Sequence, residues 1–355
     1  MTDVELDTFG WRACFQAAMA EHATDGSIPG RVVAQDRGVN RLATESGEVA
    51  ATVSAGLRRE ASDRTDLPAV GDWVAVRPAG DGWSIFAVLP RETAFVRKAA
   101  GARAEPQVVA ANVDTVFLVT GLDGDFNLRR IERYVAVAQA SGARPVIVLN
   151  KADVCEDLET TMASVRSRAG GAQVIAMSAR DDDPGSSLAP WLTDGETVAL
   201  IGSSGVGKST IANRLLGTDA LRTSAVREHD QRGMHTTTRR ELVKLPGGAL
   251  LIDTPGMREL SVWTDEESIR AAFDDVAEVA AGCRFADCRH DGEPGCAVAE
   301  AIADGRMDAD RFAHFRSLEK EAAFLETRRD ATAQLVQRRK WKAIHKSMRD
   351  HDKRK

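Results

Sequence analysis

Nine residues, Gly202-Ser203-Ser204-Gly205-Val206-Gly207-Lys208-Ser209-Thr210, carry the groups that a triphosphate cradle needs, at the spacing it needs them. Glycines let successive backbone N–H groups curl around phosphate oxygens with no Cβ in the way, and a following helix start adds its partial positive charge. Lys208 then reaches the β and γ phosphates, and the Ser209 hydroxyl faces a magnesium ion (Mg2+). A glycine-rich structural turn is the alternative. The flanks argue against it: Thr197–Ile201 reads as a buried strand before the loop, and Ile211–Leu216 as a helix start after it.

Other residues suit a base. In Asn150-Lys151-Ala152-Asp153, the Asp153 carboxylate can only accept hydrogen bonds. The guanine edge offers two adjacent donors, N1–H and the exocyclic amine, whereas adenine has no proton at N1. Lys151 can lay its stem over the base, and Asn150 can tie neighbouring loops together. Ser178-Ala179 ends the next apolar run, where a backbone N–H can meet guanine O6. Together with the phosphate loop, these stretches predict GTP and GDP as ligands and argue against ATP, so an ATP-driven motor fails on Asp153. Downstream, Leu250-Leu251-Ile252 leads into Asp253-Thr254-Pro255-Gly256. Asp253 is placed to hold magnesium through water, and the Gly256 N–H to meet the γ phosphate. Between the two lies polar, hinge-like Gly233-Met234-His235-Thr236-Thr237-Thr238, from which Thr237 is the expected magnesium ligand.

A third group is Cys283-x4-Cys288-x-His290-x5-Cys296. Three thiolates and an imidazole make a closed tetrahedral set for one structural zinc (Zn2+), with no position open for water. Cys14 and Cys155 read as ordinary thiols.

These groups must be positioned by 355 residues, enough for two or three cores. No run of eighteen apolar residues occurs, and Met1-Thr2-Asp3-Val4-Glu5 lacks a basic, apolar leader, so a cytoplasmic protein with no membrane partner is expected. The net charge of −6 is uneven: residues 311–355 hold fourteen Lys/Arg against six Asp/Glu. Such a basic arm is either a handle for nucleic acid or a solvated helix. Its face Phe312, Phe315, Leu318, Ala322 and Leu325 predicts a helix there.

Residues 1–29 form an extension in which Phe9, Trp11, Phe15 and Met19 suit one face of a short helix. From 30 to 98 come five short β-like runs, Arg31–Gln35, Asn40–Thr44, Glu48–Ser54, Gly71–Arg77 and Trp83–Leu89, which predict a small closed barrel of the oligonucleotide-binding (OB) type. Arg31, Arg37, Arg41, Arg58, Arg59, Arg64 and Arg77 offer it cations for a phosphate backbone. Trp73, Trp83 and Phe86 can stack bases or fill its core, and core is expected for most of them. Gly101–Gln107 reads as a linker. Alternating strands and helices follow, predicting a mostly parallel sheet covered on both faces over 99–275, with ligands at the carboxyl ends of its strands. The metal cluster and basic helix complete a module over 276–355.

The motif order is base, second base, phosphate loop, threonine switch, Asp-Thr-Pro-Gly switch, a circular permutation of the usual GTPase order. With a barrel before and a metal cluster after, the chain closely resembles the ribosome-small-subunit-dependent GTPase A family (RsgA, also called YjeQ) over about residues 30–320. The resemblance implies a GTP hydrolase that docks on the small ribosomal subunit and its rRNA during late maturation, and a monomer is expected. In Ras-like enzymes a glutamine after Asp-x-x-Gly orients the attacking water, but here that position is Met257. His235, where the family pattern also has histidine, is the catalytic candidate; ordering the switch is its alternative role. A non-enzymatic RNA- or DNA-binding protein with a structural nucleotide site is the second reading, against which the intact Lys208, Ser209 and Asp253 speak.

Overall fold

The structure is a computed structural model that describes residues 5–23, 26–36, 38–98, 106–124, 126–217, 240–253, 269–270 and 272–323. The chain divides into two compact units, Met1–Val262 and Trp263–Lys355.

In the first unit, β1 (Ile28–Asp36), β2 (Val39–Thr44), β3 (Gly47–Val53), β4 (Trp73–Ala79) and β5 (Gly82–Val88) form the expected barrel. β1 pairs with β2 and β4, β2 with β3, β3 with β5, and β5 with β4, so the circuit closes. A register shift between Val32 and Ala34 bends β1, which lets one strand serve both neighbours. Val32, Leu42, Val74, Val76 and Ile85 are fully buried in this unit.

Side-chain fates depart from the sequence reading here. Of the three aromatics, Trp73 alone is core, packed with Leu6, Phe15 and Leu89; Trp83 and Phe86 are half-buried, and Arg77 stacks over Phe86 at 5.2 Å. Phe9, Trp11 and Met19 join the Trp73 cluster, but a 3-10 turn (Leu6–Phe9) and α1 (Ala13–Glu21) share the work expected of one helix. Arg31 is no phosphate ligand. It is 1% exposed and donates to the carbonyls of Phe9 at 2.7 Å and Asn112 at 3.1 Å and to Thr197 Oγ1 at 3.1 Å. Its acceptors are two backbone carbonyls and one hydroxyl, distant in the chain, that the local sequence does not reveal.

Pro106 and Gln107, the end of the stretch read as a linker, begin a strand: β6 (Ala94–Lys98) pairs with β7 (Pro106–Ala111), whose last four residues are buried, while residues 101–105 lie outside the described residues. Then β8 (Thr115–Gly121), β9 (Arg144–Asn150), β10 (Gln173–Met177), β11 (Thr197–Ile201) and β13 (Leu250–Asp253) form a parallel sheet in the order β10-β9-β8-β11-β13. Phe117 and Val119 face a cluster with Ile211 and Leu215 of α6 (Lys208–Leu216). Val116 and Leu118, also buried, alternate to the other face, where α3 (Leu128–Ser141) packs on β8 and β9. α2 (Ala55–Glu60), α4 (Leu158–Arg166) and the one-turn α5 (Pro184–Leu188) complete the helices of this unit among the described residues.

One strand had no sequence signal. β12 (Arg240–Lys244), Arg-Glu-Leu-Val-Lys, is antiparallel to β13 and buries Leu242 as its main apolar contribution. Its other edge pairs with β1 at Ala34↔Glu241 and Gln35↔Arg240, so barrel and α/β sheet run together as one 11-stranded sheet.

In the second unit, α7 (Asp274–Ala280), α8 (Ala297–Ala303) and α9 (residues 309–323) enclose Phe273, Val276, Val298 and Ala301. On the expected apolar face of α9, Phe315, Leu318 and Ala322 are buried and Phe312 is half-buried. Leu325 lies outside the described residues. Arg311 clamps α7, donating to both Asp275 oxygens at 2.7 and 2.6 Å.

Candidate functional site

Parallel pairing aligns the strand ends that carry the motifs: Gly121 of β8 stands opposite Asn150 of β9, and Asn150 opposite Met177 of β10. The loops after β8, β9, β10 and β11 therefore open on one edge, as parallel sheets place their ligand sites. Asn150 is buried and joins three of these loops. Its Nδ2 donates to the Val206 carbonyl at 2.7 Å, and its Oδ1 accepts from the Ala179 N–H at 2.8 Å.

Lys151 adopts a left-handed conformation (φ 64°), which turns the chain into the short 3-10 turn Ala152–Val154 and leaves Asp153 exposed. The Lys151 ammonium pairs with Asp123, which follows β8. Ser178 is fixed by acids of its own loop: its N–H donates to Asp182 at 2.6 Å and its hydroxyl bonds Asp181 at 2.9 Å. In the phosphate loop, a Cβ on Gly202 would sit 2.1 Å from the Val119 carbonyl, so only glycine fits. Lys208 is 8% exposed, and its ammonium donates to the carbonyls of Gly202 at 2.6 Å and Ser203. These bonds hold a buried positive charge at the loop.

A cleft of about 310 Å³ gathers the three motifs. Asn150, Lys151 and Asp153 line it on one side, Ser178, Ala179 and Arg180 on another, and Ser204, Gly205 and Gly207 to Thr210 along the floor. Ala152, Gly202, Ser203 and Val206 belong to the same loops without facing the cleft. Ser209 and Thr210 are half-buried within it. The backbone of Asp253 ends β13 beside β11. His235, Thr237, Gly256 and Met257 lie outside the described residues, as do Arg37 and residues 324–355.

Sequence reasoning missed Arg214, which reaches from α6 to the carbonyls of Ala179 and Arg180 at 2.9 and 2.8 Å. It pins the second base loop to the helix that carries the phosphate loop. Its partners are main-chain oxygens more than thirty residues away, so no spacing announces it. Asp123 and the 57%-exposed Val154 were missed too, although the β8–β9 register makes Asp123 legible once known.

The second unit brings Cys283, Cys288, His290 and Cys296 together, with all ligand atoms within 4.8 Å of one another. His290 Nδ1 is 3.5 Å from each of the three sulfurs. One nitrogen cannot share a hydrogen bond with three thiols, but a tetrahedron with Zn–S of about 2.3 Å and Zn–N of about 2.0 Å has S···N edges of roughly 3.5 Å. The residues fit a closed four-coordinate metal. His290 reaches its place through a left-handed backbone (φ 60°).

Among known proteins, the family model for the RsgA GTPase matches residues 88–263. The small ribosomal subunit biogenesis GTPase RsgA of Opitutus terrae is 48% identical over 359 residues, covering 98% of each chain. That of Xanthomonas euvesicatoria is 46% identical, covering 90% of this chain and 88% of its own. Of solved structures, YjeQ from Thermotoga maritima superposes with a TM-score of 0.60 at 25% identity, over 84% of this chain and 99% of its own. YloQ, described as a circularly permuted GTPase, shares the fold with a TM-score of 0.59 at 24% identity, over 84% and 95%.

Proposed function

We propose the following function for this chain, which belongs to the RsgA GTPase family: a circularly permuted GTPase that hydrolyses GTP slowly, is stimulated by the small ribosomal subunit, and serves its late biogenesis by binding rRNA. The observation that carries the reading is the single cleft that gathers the guanine motif, the second base loop and the phosphate loop. The names of the relatives from Opitutus terrae and Xanthomonas euvesicatoria supply the subunit.

In this reading Asp153 accepts from the guanine edge, and Lys151, steadied by Asp123, covers the base. The Lys208 ammonium lies against the β and γ phosphates, and loop N–H groups surround them. Ser209, Thr237 and Asp253 would hold magnesium, which when bound would supply positive charge to the phosphates. Gly256 donates its N–H to the γ phosphate, and His235 positions the attacking water. Cys283, Cys288, His290 and Cys296 hold one structural zinc. The protein acts as a cytoplasmic monomer, and no described helix is long and apolar enough to cross a membrane. Its parts are an extension (1–29), an OB-type barrel (30–98), a nucleotide domain (99–275) and a zinc and basic helical module (276–355).

Phosphate release from GTP, measured with and without small subunits, tests the reading. Release that rises with added subunits supports it. Tight GTP binding with no release under either condition would instead favour a non-enzymatic RNA-binding protein.

A further inference from the structure

A second cleft, of about 720 Å³, lies on the seam where β12 joins the barrel, and it shares no residue with the nucleotide cleft. One wall is a cross-strand row. Arg240 of β12 is paired with Gln35 of β1, and Gln35 with Asn40 of β2. Residues directly opposite each other on neighbouring strands project from the same face, so these three polar side chains stand together. Gln35 Nε2 donates to Asn40 Oδ1 at 2.9 Å and to the Pro68 carbonyl at 2.6 Å. Asn40 is 4% exposed, and its Nδ2 has no hydrogen-bond partner among the described residues. That leaves an amide donor on the cleft wall.

The charge of the cleft is one-sided. Arg240, Arg58 and Arg64 line it, against Asp36 as the one carboxylate among its lining residues. Arg97 stands beside them, because it pairs with the lining residue Gln107 across β6 and β7. The Arg97 Nε is buried without a partner. Burial, and then repulsion from Arg97, lowers the Arg240 guanidinium to about 10. Neither Arg240 nor Arg97 has an ion pair among the described residues. Two neighbouring cations, partly desolvated and without an ion pair among the described residues, favour an anion beside them.

We propose that this cleft is a phosphate site for the backbone of single-stranded RNA, with Arg240 and Arg97 as inner cations and the exposed Arg58 and Arg64 at its mouth. The inference rests on the rRNA-binding reading above and deepens it. The cleft has room for a nucleotide but not for a duplex, and Val39, 40% exposed, offers an apolar side to a sugar or base. No aromatic ring lines it, so it reads phosphate rather than base identity. Arg240 comes three residues after Thr237 in the sequence, and the next residue, Glu241, pairs with Asp253 of β13. RNA on Arg240 therefore grips the strand that joins the two magnesium-bearing segments.

The test uses the full chain and a short, labelled single-stranded RNA of mixed sequence, titrated over a range of salt. Arg240→Gln and Arg97→Gln should each weaken binding roughly tenfold and each flatten the slope of log affinity against log salt by about 0.7, the value per phosphate contact on a single strand. Arg240→Lys should keep the wild-type slope. Arg166→Gln on α4 controls for net charge and should change neither quantity. Unaltered GDP affinity in every variant shows that the fold is intact. If both glutamine variants keep wild-type affinity and slope, the proposal is overturned. Equal competition by inorganic phosphate at matched charge would overturn it as well, in favour of a free-anion pocket. Neither hydrolysis nor subunits enter this titration, so failure of subunit stimulation would sink the proposed function and leave this site standing.

Discussion

The Asn150 amide fills the space that a Cβ on Gly207 would need: that atom would lie 2.1 Å from Asn150 Nδ2. Gly207 also holds a φ of 101°, where side chains are strained by about 1–2 kcal/mol. Gly207→Ala should therefore push Asn150 off both Val206 and Ala179 and open the nucleotide cleft. We expect GDP affinity to fall at least roughly tenfold, the effect of losing about 1.4 kcal/mol, while the melting temperature drops little. Unchanged GDP affinity in a calorimetric titration would contradict this coupling.

Asp153 is exposed and lines the cleft, where we propose that its acceptor-only carboxylate meets the base. Asp153→Asn replaces one acceptor with a donor, which matches xanthine better than guanine. Preference should swing from GTP toward XTP by about tenfold or more. A competition titration with GTP, XTP and ATP reads this directly, and comparable wild-type affinity for ATP would remove guanine specificity altogether.

The equal spacing of three sulfurs around His290 Nδ1 predicts one zinc per chain, measurable by elemental analysis of protein purified without chelator. Binding of a structural zinc contributes on the order of 10 kcal/mol to small modules. Cys288→Ser should therefore loosen residues 276–323, seen as faster amide exchange there, and leave GDP affinity nearly unchanged. Protein that carries no zinc yet protects these amides would rule the site out.

His235→Ala should keep GTP affinity and subunit binding but lose subunit-stimulated turnover by roughly a hundredfold, a usual size for a group that handles the reacting water or its proton. Stimulated turnover within about twofold of wild type would move that role to a group supplied by the subunit.

Arg31 bridges the extension, the barrel and the α/β sheet through Phe9, Asn112 and Thr197, and its guanidinium lies 5.3 Å from the Trp73 ring. Arg31→Met leaves those three acceptors buried without a donor, at a cost of about 2–4 kcal/mol. Arg31→Lys should recover only part, because an ammonium cannot fork across them. Urea unfolding checks both variants, and a loss below the error of extrapolation would make Arg31 dispensable.

Motifs carried within a few consecutive residues were legible in the sequence alone. The phosphate loop, Asn150 to Asp153 and the cysteine–histidine spacing each place their groups through local backbone, so reading them needs no knowledge of distant neighbours. The barrel strands and the α/β alternation were legible for a similar reason: periodicity reports which face is buried. What escaped depends on contacts across long stretches of chain. Arg31 looks like a surface cation until Phe9, Asn112 and Thr197 surround it. Arg-Glu-Leu-Val-Lys is too polar to announce β12, which exists because β13 and β1 offer unpaired edges on either side. Pro106 and Gln107, at the end of the stretch read as a linker, belong to β7 because a partner strand, not their own composition, makes them so. The tertiary structure also decided that Arg240, Gln35 and Asn40 line one cleft with Arg97 beside it, since strand register is set by edges that meet only after the chain has folded.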